Sequence, residues 1–311
     1  MVSPLSTIGR PRASVIIPHF NMPGPLETCL ASVTTQQLAG DFEVIVVDNG
    51  SRVTPDRVLA AYPEVRSLSE AAPGPGPARN AGVKAARASI LVFIDADCWA
   101  ETGWLSAAVT AVEAQGNRGV VGGDVQIGFV DPNNLSGVEA YEAVFAYRQR
   151  MYIEKLGFSG TGNLAMHRDV YDAVGPFAGI DIAEDMDWGR RATAAGFAPC
   201  WAPGMRIYHP ARPDLASLRV KWQRHIAHAW TEHRKSGRPL WAWVAKAIAL
   251  PASTPVDALK LLLAPRLGGL RNRLRGLSIL AQVRLMRGTE MLRVIRAADE
   301  TAATHWHADP T

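Results

Sequence analysis

Three short apolar runs constrain the fold of this chain more than any other feature: "ASVII" at 13–17, "FEVIVVD" at 42–48 and "ILVFID" at 90–95. Each is strand-length and bounded by a proline or an aspartate, and together they are rich in valine and isoleucine. Between them lie stretches with helical spacing, over 24–38 and 52–62, and a Pro/Gly-rich loop at 71–82 that leads into a helix ending near Arg87. Strands apolar on both faces and separated by helices are βαβ units, which predicts an α/β fold around a parallel sheet. Ligands of such sheets bind beyond the carboxyl ends of the strands. Asp48 and Asp95 both stand at such ends.

The pattern continues with a helix over 103–115, a strand over 119–128 and a helix over 137–152. A Gly-rich turn, a short strand and a helix follow over 160–177, then a helix over 183–196 and a last strand over 205–210. Beyond 210 the chain reads as helical and basic. From Arg206 to Arg296 there are 18 Lys and Arg against 4 Asp and Glu, while the remainder has 15 against 25. This asymmetry predicts an anionic partner for the C-terminal third. No run approaches the ~18 apolar residues of a membrane span, and "LWAWVAKAIAL" (240–250) is interrupted by Lys246. The three cysteines are scattered and have neither zinc-type nor disulfide-framework spacing. "MVSPLSTIGRPRAS" lacks the apolar core of an export signal, so a cytoplasmic protein is expected.

Several polar groups fit this frame as candidate chemistry. Asp95 and Asp97 sit two apart on an extended segment and so share a face. They can hold a divalent cation that bridges a diphosphate, or simply form a turn and cap the next helix. Asp48 in "VVDNGS" can accept hydrogen bonds from a nucleobase edge or close an Asx-turn. Arg79 and Asn80 in "GPGPARNAG" lie where a stiff loop enters a helix, a place for a phosphate or a base edge; no GK[ST] follows, so it is not a Walker loop. Glu184, Asp185 and Asp187 form an acidic first turn. That complements the helix dipole, and it also offers a carboxylate to take a proton from an attacking hydroxyl. His209, after the last strand, can complete a metal shell or begin a loop. In "GTGN" (160–163), Gly162 permits close approach and Asn163 supplies hydrogen bonds, while Trp188 can stack on a sugar or fill the core.

The order of these motifs matters more than any one of them. "SVIIPHFN", "VVDNGS", "GPGPARNAG", "FIDADC", "GTGNLAMHRDVYDAVGPF" and "EDMDWGRRATAAG" together resemble glycosyltransferase family 2, inverting nucleotide-sugar-dependent enzymes with a GT-A (Rossmann-like) fold. The resemblance covers residues 12–210. It implies a nucleotide-binding half at 12–98 and an acceptor-binding half at 99–210, with 211–311 as a basic helical extension. It implies that Pro18, His19 and Asn21 line the nucleotide pocket, that Asp48 contacts the base, and that Arg79 and Asn80 lie near base and phosphates. Asp95 then serves the ribose, Asp97 holds Mn²⁺ or Mg²⁺ with His209, and Asp185 with Glu184 supplies the catalytic base. Gly162, Asn163 and Trp188 fall on the acceptor side.

Two departures from the family pattern stand out. Asn49 replaces the second acid of the "DDGS" found in many relatives. "KWQRHIAHAW" (221–230) has the letters but not the spacing of the Q-x-x-R-W motif of processive synthases, which favours single-sugar transfer. The implied acceptor is a glycan or lipid-linked saccharide in cell-surface polysaccharide or glycoconjugate synthesis. Leu270, Leu274, Leu277, Ala281, Leu285, Leu292 and Ile295 fall near one helical stripe with Arg271, Arg275 and Arg287 off it. Such a helix either lies on the cytoplasmic face of an anionic membrane or packs with a solvated basic side. No nucleic-acid motif accompanies the charge. Two rivals, a sugar-phosphate nucleotidylyltransferase and a non-catalytic nucleotide-binding or membrane scaffold, fit less well. The first wants a Gly-rich, basic start that is absent, and the second leaves the acid pairs idle. The sequence does not reveal an oligomeric state.

Overall fold

The computed structural model describes residues 10–180 and 182–296. In chain order the elements are β1 (Ala13–His19), α1 (Pro23–Thr34), β2 (Phe42–Asp48), α2 (Asp56–Leu59), β3 (Arg66–Ser69), α3 (Pro75–Ala85), β4 (Ile90–Ile94), β5 (Trp99–Ala100), α4 (Trp104–Glu113) and β6 (Val120–Gly128). They continue with α5 (Gly137–Phe145), α6 (Gln149–Leu156), β7 (Asn163–His167), α7 (Arg168–Val174), α8 (Glu184–Ala194), β8 (Cys200–Pro210), α9 (Leu215–Lys235), α10 (Leu240–Ala252), α11 (Thr254–Leu262) and α12 (Gly269–Arg293).

One eight-stranded sheet has the order β3-β2-β1-β4-β7-β6-β8-β5. The first four strands are mutually parallel, as the apolar runs predict; β7 is antiparallel to β4 and β6, and β5 to β8. Both faces of the central strands are covered. Val15, Ile17, Val44, Val46, Val92 and Ile94 pack toward α1 and α4. Ile16, Leu91 and Phe93 alternate to the other face, against Val83, Phe177 and Trp188. The parallel register sets His19 opposite Asp48, so the ends of β1 and β2 open at the same edge.

Two local expectations are corrected. The 71–82 segment is not loop throughout, because α3 begins at Pro75. Proline suits a first helical position, and Gly74 precedes it at a φ of 115°. Arg79 and Asn80 therefore lie inside the helix rather than at its mouth. The helix expected over 137–152 is two helices, α5 and α6, interrupted at Tyr147, whose φ is 48°.

The described residues form two compact units. The first runs up to Gln126 and resumes over Tyr147–His209; the second comprises Ile127–Ala146 and the described residues from Pro210 onward. The helix α5, read from sequence as part of the 99–210 half, thus joins the helical extension, where Val138 and Tyr141 pack with Leu218, Leu280 and Val283. Much of that unit's basic charge is used internally. Glu142 is buried between Arg212 (2.6 Å) and Lys221 (3.3 Å), and Arg284 pairs with Asp257. Arg275 donates to the Leu135 carbonyl (2.7 Å), and Arg287 lies 3.6 Å from the centre of the Trp222 ring. Among the described residues no helix is long and apolar enough to cross a membrane.

Candidate active site

The first unit gathers its ionisable groups along the carboxyl edge of the parallel strands. Arg79 is 3% exposed and forks between two carboxylates, with Nη2 2.6 Å from Asp95 Oδ1 and Nη1 3.0 Å from Glu184 Oε1. Burial alone would lower the guanidinium pKa, but the two carboxylates outweigh it and hold the charge firmly. Its Nε is buried with no hydrogen-bond partner among the described residues. One side chain from α3 therefore ties the end of β4 to the start of α8, residues 105 positions apart from Arg79 to Glu184.

Asp97 lies two residues beyond Asp95, and its Oδ2 meets His209 Nε2 at 3.1 Å. Burial works against ionising Asp97, but the imidazole outweighs it and brings the carboxyl below its ordinary value. Asp95 goes the other way, pushed up by burial and by Asp97 against the pull of Arg79. Asp97, Cys98 and His209 present ligand atoms within 4.8 Å of one another. Burial pushes the Cys98 thiol far up, so it stays protonated and is a poor ligand. A carboxylate and an imidazole remain, a donor pair that suits Mn²⁺ or a related divalent ion with further oxygen ligands. These two residues fit the implied cation.

Asp185 follows Glu184 at the start of α8. Burial, and then the neighbouring Glu184 charge, push its carboxyl up to about 6, against a backbone hydrogen bond from Met186 N–H at 2.7 Å. A carboxylate with this pKa is ionised at neutral pH yet basic enough to accept a proton. The Thr161 hydroxyl reaches Glu184 at 3.4 Å, a contact that sequence reasoning missed although it quoted the turn.

At the β1–β2 end, His19 is buried. Its Nδ1 is 2.9 Å from Asp48 Oδ1, and its Nε2 accepts from Met22 N–H at 3.2 Å, so the proton belongs on Nδ1. Asp48 also accepts from Ser51 N–H (3.2 Å) and so serves the turn as well. Asn21, at a φ of 53°, accepts from Arg52 N–H at 2.8 Å and staples the two loops together. Pro18 is half-buried within β1. Asn49 makes a bridge an aspartate cannot make: its amide donates to the carbonyls of Glu70 (3.0 Å) and Ala72 (2.7 Å) and accepts from Gly74 N–H (2.7 Å).

Three residues expected at the site have their polar groups turned inward. Asn80 spends its amide on Phe177 N–H and carbonyl and on the Tyr171 hydroxyl, each at 2.9 Å. Asn163 is wholly buried, accepting from the Trp104 indole (2.9 Å) and donating to the carbonyls of Asp124 (2.8 Å) and Met205 (2.9 Å). Trp188 fills the core beside Phe177 and donates to the Gly175 carbonyl at 2.9 Å. Each supports the site's walls instead of facing it. Gly162 does adjoin the site, because a Cβ there would overlap Asp95 Oδ2. Gly162→Ala is therefore expected to push that carboxylate away from Arg79, which it meets at 2.6 Å, and to lower stability by about 1 kcal/mol in a urea titration.

A cleft of about 450 Å³ is lined by Asp124, Tyr147, Arg148, Gln149, Met151 and Trp201 among others; Asp95, Asp97, Glu184 and Asp185 are not part of its wall. Tyr147 packs against His209 with the rings tilted by 36° and their centres 4.8 Å apart. On the same helix as the cleft's wall, burial raises the Tyr152 phenol, Arg148 opposes, and Asp185 adds to the rise. Tyr147, just ahead of α6, thus joins the cleft's wall to His209.

Comparison with known proteins fits this arrangement. The sequence model of glycosyl transferase family 2 matches residues 14–175. Glycosyltransferase AglE of Haloferax volcanii is 35% identical over 241 residues, 75% of this chain and 78% of that protein. The mannosyltransferase PcManGT from Pyrobaculum calidifontis, solved with GDP-Man and Mn²⁺, superposes with a TM-score of 0.57 at 19% identity, covering 99% of this chain and 90% of that one. S. aureus TarS 1-349, solved with UDP-GlcNAc, gives 0.50 at 16% identity over 92% and 91%. The fold is GT-A and the chain is an enzyme of the glycosyl-transferring class. It belongs to glycosyl transferase family 2, as its motif order implies.

Proposed function

We propose that this glycosyltransferase moves a single sugar from a nucleotide-sugar to a hydroxyl of a glycan or lipid-linked acceptor, with inversion, on the cytoplasmic side of the membrane in glycoconjugate or polysaccharide synthesis. The observation that carries the reading is the placement of Asp185. A carboxyl with a pKa of about 6 stands next to Glu184, which shares Arg79 with Asp95 at the end of β4. A proton acceptor and a donor clamp are thereby locked together by one buried side chain.

In this reading Asp48, oriented by the buried His19, meets the base, Asp95 the ribose, and Asp97 with His209 would hold a Mn²⁺ or Mg²⁺ ion. That ion, when bound, neutralises charge growing on the departing diphosphate. The acceptor lies in the cleft along α6. Asp185 takes the proton of its hydroxyl as the oxygen bonds to the anomeric carbon, the bond from that carbon to the diphosphate oxygen breaks on the opposite face, and the nucleoside diphosphate leaves with the electron pair. The solved structures with GDP-Man and Mn²⁺ and with UDP-GlcNAc support a nucleotide-sugar donor and a divalent cation.

A thermal-shift series with GDP, UDP and their sugars, with and without Mn²⁺, tests the donor side. A nucleotide is expected to raise the melting temperature only with the cation, and Asp97→Ala is expected to abolish the dependence. No cation-dependent shift with any nucleotide would contradict the assignment.

A further inference from the structure

The helices α10 and α11 nearly continue one another through Ser253, whose φ of −80° and ψ of −1° are close to helical. Along both, residues spaced by three and four fall on one side: Trp241, Ile248, Val256, Leu259 and Leu263, with Ala245 and Ala252 between them. The other described residues leave them open, at 71%, 64%, 66%, 58% and 69% exposure respectively. The opposite face is the packed one, with Trp243, Ala247, Leu250 and Leu261 buried. Sequence alone reads 240–250 as an apolar run too short, and interrupted by Lys246, to span a membrane. The structure leaves a long, narrow apolar stripe in water, which a soluble protein seldom tolerates without a partner.

The exposed charge carried by the segment that holds the stripe is of one sign, the nearest exposed acid in sequence being Glu232 just before it. From Arg234 to Arg271 the exposed ionisable side chains are Arg234, Lys235, Arg238, Lys246, Lys260, Arg266 and Arg271, and none is acidic. The one carboxylate in that stretch, Asp257, is buried and paired with Lys260 and Arg284. An apolar stripe with an indole at one end and cations along its flank matches an interface of acyl chains below and anionic headgroups above. Lysine stems can lie along the apolar surface while their ammonium groups stay at headgroup level. A protein partner has no need of so uniform a sign.

We propose that the α10–α11 stripe is a docking face for an anionic phospholipid surface, on which the helices lie without crossing. This deepens the reading of a membrane-side enzyme by naming the surface that makes the contact, and it rests on that reading only for its purpose.

The test is co-sedimentation of the full chain with phosphatidylcholine vesicles and with mixed phosphatidylcholine–phosphatidylglycerol vesicles of roughly 7:3 composition. The wild-type protein is expected to bind the mixed vesicles at least about tenfold more tightly than the neutral ones, less so at high salt. Ile248→Glu/Leu259→Glu/Leu263→Glu, all at exposed positions, is expected to lose that binding at an unchanged melting temperature. Wild-type protein that ignores mixed vesicles, or a triple variant that binds as well as wild type, would overturn the proposal. So would a wild-type dimer in sedimentation equilibrium that the triple variant dissolves, with no vesicle binding, since a second copy would then cover the stripe. Transfer to a water-soluble acceptor is expected to be equal in both proteins. Its absence in wild type would count against the catalytic reading, not against the docking face.

Discussion

Asp185→Asn is expected to lower sugar transfer by about a thousandfold at saturating donor, with nucleotide-diphosphate affinity unchanged. The asparagine keeps the carbonyl oxygen that accepts from Met186 N–H, so the start of α8 should hold its shape. It cannot take a proton. The same change is expected to stabilise the protein at neutral and alkaline pH. The Asp185 pKa is raised to about 6 by burial and by Glu184, so the folded state favours its neutral form. Stability from that preference is present at low pH and is lost as pH rises through 6, where the folded protein must hold a charge it disfavours. Asparagine removes the cost, about 1–2 kcal/mol after allowing for partial exposure, at pH 8 and little of it at pH 4. Wild-type transfer should in turn rise as pH passes 6 and level off above it. Denaturation midpoints at the two pH values, with a pH–rate profile, check both halves. A variant that is slow but no more stable at pH 8 would put the raised pKa in error.

Arg79→Met is expected to damage both stability and donor binding. The guanidinium is buried and holds Asp95 and Glu184 at 2.6 and 3.0 Å, so methionine leaves two carboxylates without their shared cation. Breaking a buried pair costs about 3–5 kcal/mol; both acids here retain some access to water, which puts the loss nearer 2–3 kcal/mol. Asp95 is also freed from its position, and nucleotide affinity should fall at least about tenfold. Arg79→Lys should restore charge but not the fork, recovering stability in part and affinity hardly at all. Urea midpoints and nucleotide titrations on the three proteins measure this. Equal affinities would mean that Arg79 supports the fold without positioning the clamp.

Three of the four parallel strands were legible in the sequence because they are apolar on both faces and end in punctuation; β3, Arg66–Ser69, is a short polar edge strand without that signal. The candidate acids were legible because they stand at those ends. Asn80 and Asn163 turn their amides to inward partners, which sequence cannot distinguish from facing a ligand, and Trp188 takes the core alternative the sequence left open. The break at Tyr147 carries no glycine or proline to announce it. In the helical extension Arg275 and Arg287, placed off the apolar stripe in sequence, turn inward to the Leu135 carbonyl and Trp222. The apolar run at 240–250, read only as too short for a span, turns out to begin a pair of helices with an exposed apolar side. Long cationic side chains reach several partners, and only the folded chain decides among them.

The central claim is a single displacement in which Asp185 activates the attacking oxygen. It is tested most directly by proton NMR of the slow hydrolysis of an α-linked nucleotide-sugar, where water replaces the acceptor and the first sugar released is seen before it mutarotates. The account requires the β-anomer to form first, and requires Asp185→Asn to suppress its formation. Release of the α-anomer first, or an unchanged rate in the variant, would contradict it.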